Sequence, residues 1–238
     1  MLYKEAIKVW RNEKVQELFN NNFYSKFTFN SNKIENPETM WSDVESIFRG
    51  KEIIGFRGDE KTIKEIENHK KVCDSMLDLI KENKSKLSIG LIKELHYDLA
   101  NGCFKDELLA RGERPGEFKK GYYVVGIHDI GSPPSQVEKS MRDIINEVND
   151  VEINATNALK VVSYLHNCIE ATHGFPDFNG RLGRVLINYI LIANNLPPII
   201  IFEEDKKDYY SALEYFNETQ EIDKMVSLLD FWAYKTWS

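Results

Sequence analysis

The chain has 238 residues, 42% of them hydrophobic and 29% charged, with a net charge of −7. That length supports one sizeable core, or one core with a small appendage. The acidic balance excludes a general nucleic-acid or membrane-surface binder, which needs a basic face. Lys4, Glu5, Arg11 and Glu13 interrupt the first apolar pattern and no long uncharged apolar run follows, so no leader or membrane span is expected and a cytoplasmic setting is.

Apolar periodicity is helical along most of the chain, beginning at about 1–20, 40–48, 60–82 and 88–101. Between the first two patterns lies Ser31-Asn32-Lys33-Ile34-Glu35-Asn36-Pro37. Ser31 and Glu35 fall on one face of a short helix that Pro37 ends. A helix cap is the plain reading, but a capping box wants Glu or Gln three residues after Ser31, and Ile34 stands there. One stretch reads extended: Tyr122-Tyr123-Val124-Val125, then Gly126 and Ile127, bounded by Arg114-Pro115-Gly116 and by Gly131 to Pro134. Aromatic and β-branched residues between turn formers predict a short hairpin over about 118–127.

Helical patterns resume at about 135–149, 155–172, 180–195, 206–218 and 221–235. In the second of these Ala158, Val161, Val162, Leu165 and Ile169 form a buried face. In the third Leu182, Val185, Leu186, Tyr189, Ile190 and Ala193 do the same, and Pro197-Pro198 closes it. The expected fold is all-α, a helical bundle with a short β-hairpin flap. Residues 1–50 read as an N-terminal helical arm and 51–238 as the core. Cys73, Cys103 and Cys168 are odd in number, far apart and read as reduced core residues. His69, His96 and His128 are scattered without metal-ligand spacing.

Chemistry concentrates in His173-Gly174-Phe175-Pro176-Asp177-Phe178-Asn179-Gly180-Arg181-Leu182-Gly183-Arg184, in the loop between two of these helices. Arg181 and Arg184 stand at a helix start, where the macrodipole is positive and two cations are mildly unfavourable. A bound phosphate reverses the sign, because free N–H groups and both guanidiniums then converge on it. His173 has a near-neutral pKa suited to taking a proton from a hydroxyl. Asp177 suits a hard cation, and it could equally cap the next helix. His166 lies on the same helix side as His173 and reads as a supporting residue, and Phe175 as a core anchor.

This segment closely resembles the signature of the Fic family, His-x-Phe-x-(Asp/Glu)-Gly-Asn-Gly-Arg-x-x-Arg, matching at His173, Phe175, Asp177, Asn179, Gly180, Arg181 and Arg184. Phe178 departs from it, standing where the family usually has glycine, so either the loop path shifts or the ring covers the nucleotide. The resemblance extends over Arg114-Pro115-Gly116-Glu117-Phe118, Pro133-Pro134, Pro197-Pro198-Ile199-Ile200 and the Asp208 to Leu213 stretch with Asn217. It implies transfer of AMP from Mg-ATP to a Ser, Thr or Tyr of a target protein, with self-modification as a side activity. Implied roles are His173 as general base, Asp177 as the Mg2+ ligand, Asn179 and Gly180 as an anion hole, Arg181 on the β-phosphate and Arg184 on the γ-phosphate. Tyr210 and Asn217 match positions near the nucleoside.

Ser31 to Asn36 resembles the family's inhibitory motif, in which the glutamate, here Glu35, pairs with the second arginine and displaces the γ-phosphate. The flap segment Lys120, Gly121, Tyr122, Tyr123 and Val124 is the expected docking edge, since an exposed strand takes up an extended peptide by main-chain pairing. Expected partners are therefore ATP and a protein substrate, with a homo-oligomer open and neither nucleic acid nor membrane. De-AMPylation at the same site, transfer of another phosphate-linked group, a Doc-like kinase and a non-enzymatic nucleotide sensor are the competing readings.

Overall fold

The computed structural model describes residues 2–53, 58–83, 85–125 and 129–238. Among them helices dominate. In chain order they are α1 (Tyr3–Trp10), α2 (Glu13–Glu35), α3 (Trp41–Phe48), α4 (Glu60–Glu82), α5 (Ile89–Ala100) and α6 (Asp106–Ala110). After the flap come α7 (Pro134–Asn149), α8 (Ala158–Thr172), α9 (Asn179–Ala193), a 3-10 turn (Glu203–Asp205), α10 (Lys206–Thr219) and α11 (Asp223–Trp237). No helix among the described residues is long and apolar enough to cross a membrane. Starts carry chemical signatures: Asp59 caps α4 and Ser88 caps α5 through side-chain oxygens, and α7 opens on prolines.

The α8–α9 hairpin is the centre. Helix α9 is buried without interruption from Arg181 to Leu191, so it is enclosed rather than amphipathic. Helices α7, α10 and α11 pack on α8, while α2, α4 and α5 pack on α9. Cys73 and Cys103 are buried free thiols, and Cys168 is a half-buried one.

The N-terminal helices differ from their expected extent. The pattern at 1–20 divides near Asn12, and the short helix expected around Ser31 is the last part of a helix 23 residues long. Residues 22–32, Asn-Phe-Tyr-Ser-Lys-Phe-Thr-Phe-Asn-Ser-Asn, include few strong helix formers, so propensity does not predict it. Tertiary burial overrides that: Phe23, Tyr24, Phe27, Thr28, Asn30, Ser31, Asn32 and Ile34 are all buried, on more than one face. Asn30 and Asn32 donate to the Lys26 and Thr28 carbonyls within the helix, and Asn30 Oδ1 accepts the Glu203 N–H. Helix α1 is tied to α11 through the Asp230 carboxylate, which accepts the Leu2 and Tyr3 N–H groups.

At the expected hairpin, antiparallel pairing is limited to Val124–Val125 with Asp129–Ile130. The stretch before it is irregular because a carboxylate has taken its donors. Buried Glu113 accepts the Lys120 N–H at 2.9 Å, the Gly121 N–H at 3.1 Å and the Tyr123 hydroxyl at 2.8 Å through Oε1. His128 lies outside the described residues.

Candidate active site

The signature loop is bracketed by two non-glycine residues in the left-handed region, His173 at φ 45° and Phe178 at φ 67°. Each costs roughly 1–2 kcal/mol relative to right-handed backbone, so the surroundings must impose the path. They do so from three sides. Asn179 Oδ1 accepts the Phe175 N–H at 3.0 Å and its Nδ2 donates to the Phe175 carbonyl at 2.8 Å, pinching the loop shut. His96 stacks on the Phe175 ring at 3.8 Å, nearly parallel. Its Nδ1 accepts the Gly116 N–H at 2.9 Å, so the proton resides on Nε2, which donates to the Asp177 carbonyl at 3.0 Å. From the flap side, Lys119 N–H donates to the Gly174 carbonyl and Ser132 N–H to the Thr172 carbonyl, both at 2.9 Å. His173 is thereby held between two main-chain bonds.

The loop opens onto a pocket of about 340 Å³ lined by His173, Asp177, Gly180, Arg181, Tyr210 and two glutamates, Glu35 and Glu170. Burial first, then the Lys119 ammonium, pushes the His173 pKa down to about 4, against the pull of Asp177 and Glu35. The imidazole is therefore neutral near pH 7 and able to accept a proton. Glu170, one helical turn before His173, has an Oε1 without a hydrogen-bond partner. Burial and the Glu35 charge push its pKa up to about 7, opposed by Arg184.

The two arginines part company. Arg184, 1% exposed, donates from Nε to Ser31 Oγ at 3.1 Å, from Nη2 to the Ser31 carbonyl and to Glu35 Oε1 at 2.9 Å, and from Nη1 to the Tyr209 hydroxyl at 3.1 Å. Glu35's other oxygen accepts the Tyr210 hydroxyl at 3.2 Å. Burial alone would raise the Glu35 pKa, but the Arg184 and Arg181 charges and the Arg184 and Tyr210 bonds bring it below the ordinary value. Its carboxylate rests on the start of α9: a Cβ at Gly180 would meet Glu35 Oε1 at 2.5 Å. First-turn N–H groups of a helix lack intrahelical acceptors and favour anions, and Arg184 and Tyr210 hold the Glu35 carboxylate beside this helix start. Arg181, by contrast, lines the pocket, with Nη1 3.0 Å from Glu65 Oε2 and its guanidinium 3.5 Å over the Phe178 ring. That resolves the departure at Phe178. The loop keeps a glycine-like φ, and the ring packs against the Arg181 guanidinium where both line the pocket.

Other expected residues distribute unevenly. Asp177 lines the pocket with Oδ1 accepting the Phe178 N–H at 2.7 Å. No group of three His, Cys, Asp or Glu side chains forms a metal site among the described residues. A lone carboxylate at the edge of an arginine-lined pocket fits Mg2+, which takes few carboxylates and completes its shell with phosphate oxygens or water. The Asn179 amide, expected as an anion donor, is instead spent on Phe175. Asn217, seven residues beyond Tyr210 on α10, does not line the pocket. His166 supports from behind, its Nε2 2.9 Å from the Tyr209 hydroxyl and its ring filling the space a Cβ on Gly183 would need. On the flap, Tyr122 is 67% exposed and Lys120 is exposed, while Tyr123 is turned to Glu113.

Sequence reasoning missed Glu65, His96, Glu113 and Glu170, all recruited from outside the motifs read for chemistry. For Glu170 a signal existed, an acid one turn before His173 on a mostly apolar helix.

The family model described as Fic/DOC family matches residues 86–191. Protein adenylyltransferase fic-1 of Caenorhabditis elegans is 30% identical over 139 residues, 58% of this chain and 26% of that protein. Protein adenylyltransferase Fic of Drosophila mojavensis is 30% identical over 103 residues, 43% of this chain and 20% of that protein. The matches thus span about a quarter or less of these curated relatives. Among solved structures, a Fic domain containing signaling protein from Bacteroides thetaiotaomicron superposes with a TM-score of 0.83 at 18% identity, covering 100% of this chain and 95% of that one. Fic-1 from C. elegans superposes with a TM-score of 0.80 at 17% identity, covering 99% of this chain and 69% of that one, a likeness of fold. Residues 86–191, with the signature inside them, therefore form a Fic/DOC family segment, and the fold around it is that of the solved Fic structures.

Proposed function

We propose that this chain is a protein adenylyltransferase that moves AMP from Mg-ATP to a Ser, Thr or Tyr hydroxyl of a target protein and is restrained by Glu35. The observation that carries this is the α9 start, where a carboxylate already sits against Gly180 and Arg184 as a phosphate group would. In the reaction His173 takes the proton of the acceptor hydroxyl, whose oxygen bonds to the α-phosphorus as the bond to pyrophosphate breaks. A positioned general base contributes about 10²–10⁴-fold. The first-turn N–H groups of α9 and Arg181 hold phosphate oxygens, and Arg181 has Nε and Nη1 buried without an acceptor to spend on them. Mg2+, held through Asp177, would neutralise phosphate charge. Arg184 joins when the arm carrying Glu35 releases it.

In this reading residues 1–50 are the restraining arm and 51–238 the catalytic core. The flap from Lys120 to Val124 presents the target, and the main-chain bonds from its two ends to Thr172 and Gly174 support that, because they set the flap beside His173. De-AMPylation is the second reading, supported by the Glu35 carboxylate facing the pocket, where it could orient a water. Intact mass after incubation with Mg-ATP separates them, using wild type, Glu35→Gly and His173→Ala. An added AMP mass that grows in Glu35→Gly and vanishes in His173→Ala is the expected result. An added phosphate mass would assign a kinase, and no mass on any variant together with loss of AMP from a modified protein would assign the reverse reaction.

A further inference from the structure

Besides the distant Asp177 Oδ1, 3.8 Å from Nη2, Arg181 is flanked by Phe178, the residue that departs from the signature, and by Glu65, which lies outside it. The Phe178 ring covers one face of its guanidinium at 3.5 Å, and Glu65 Oε2 lies 3.0 Å from Nη1. Arginine and glutamate side chains are 5% and 7% exposed, so neither is free to wander. The Glu65 contact is an ion pair out of line for a hydrogen bond, and Nε and Nη1 keep their protons unspent. Glu65 Oε2 has a second partner: it accepts the Asn36 amide at 3.1 Å, and the same amide donates to Thr62 Oγ1 at 3.1 Å. Asn36 is the residue immediately after Glu35, at the end of α2.

The arm therefore reaches both signature arginines, by opposite means. Glu35 consumes a donor of Arg184 directly. Asn36 takes no donor from Arg181; it steadies the carboxylate that steadies Arg181. We propose that Glu65 is a positioning residue for Arg181 and that Asn36 extends this positioning to the arm, so that the docked arm helps build the phosphate side of the site that Glu35 obstructs. The inference rests on the nucleotide-transfer reading above.

The physical reason is preorganisation. An arginine has several rotatable bonds, and fixing it when phosphate arrives takes free energy from binding. A carboxylate that is itself held by the Asn36 amide fixes it in advance. Without Asn36, Glu65 loses one donor and Arg181 must be ordered by the ligand. The effect should depend on the phosphates that reach Arg181, which a general loosening of the fold would not.

The test uses the full chain carrying Glu35→Gly, so that Arg184 is released, and reads the affinity for ATP, ADP and AMP by calorimetry. Adding Asn36→Ala should weaken ATP and ADP about three- to tenfold, the net worth of one ordinary hydrogen bond since Asn36 acts on Arg181 only through Glu65, and leave AMP within about twofold. Glu65→Ala should weaken the same two more strongly, and Asn36→Ala added to it should then cost less than about twofold, because the two act through one oxygen. Glu65→Gln, which keeps shape and acceptor, should fall between and retain the dependence on Asn36. Equal weakening of AMP, or effects of Asn36→Ala and Glu65→Ala that simply multiply, would overturn the inference. A Glu35→Gly chain that binds none of the three nucleotides would overturn the transfer reading first, and this inference with it.

Discussion

The pocket has two kinds of wall. One is the α8–α9 loop, where the residues that hold His173 and Asp177 are joined by main-chain bonds, a buried amide clamp and the stacked His96. The other is the end of α2, where Ser31 and Glu35 meet Arg184 across about 150 positions of sequence through side chains. The first kind is made largely by the main chain and neighbouring residues, the second by side chains of two distant helices. In the proposed reading the catalytic groups sit on the first wall and the restraint on the second, which is the division a switch requires.

The largest expected effect breaks the first wall. His96 and His166, together with His69 behind the arm, are buried and neutral, each with its pKa lowered by burial from 6.5 to about 3. His173 follows, at about 4. The sign is that of groups protonating in the unfolded chain before the folded one: their stabilisation is complete above about 6.5 and is lost as pH falls toward about 3. A melting temperature that drops through that window is expected, with tertiary packing near Phe175 lost first. An unchanged melting temperature down to pH 4 would show that water reaches these rings.

A smaller effect loosens the second wall. Ser31→Ala leaves the Arg184 Nε without its acceptor while the Ser31 carbonyl and Glu35 remain. An unsatisfied donor there costs about 1–3 kcal/mol, so arm docking should weaken and AMP transfer rise about five- to tenfold, short of Glu35→Gly. Initial rates of AMP incorporation at saturating ATP test it. Rates equal to wild type in Ser31→Ala, with Glu35→Gly still faster, would take the hydroxyl out of the latch.

How far the sequence revealed these walls differs in the same way. The loop residues lie within twelve consecutive positions, so His173, Asp177, Gly180 and Arg181 could be assigned to one pocket from spacing and resemblance, and they line it. Glu65, Glu113 and His96 could not, because each acts on the site from another helix or loop and its local pattern is that of an ordinary polar residue. The long α2 was hidden for a related reason: it is buried on more than one face, so it lacks the apolar stripe from which helices are read. Asn179 shows the converse failure. Its residue type suited an anion hole, but a short amide beside a tight loop bonds the nearest peptide first.

The smallest effect concerns Glu170, where the two walls meet. A Cβ at Gly180 would lie 3.3 Å from Glu170 Oε1 and 2.5 Å from Glu35 Oε1, so the two carboxyl groups face one another with Arg184 between their charges. Since burial and Glu35 raise the Glu170 pKa from 4.5 to about 7, the folded chain holds a proton there that the unfolded chain has lost. The stabilisation is complete below about 4.5 and is lost as pH rises through about 7. Above that, ionised Glu170 repels Glu35 and competes for Arg184, so the arm should grip less well. The wild-type rate relative to Glu35→Gly should therefore rise about two- to threefold between pH 6 and 8, the size of a modest like-charge term at partly screened sites. Glu170→Gln keeps the shape without the charge and should hold that ratio level. Taking the ratio cancels any pH dependence of His173 or of ATP, which both chains share. A ratio that climbs equally with and without the Glu170 carboxyl would mean that the arm does not feel this proton.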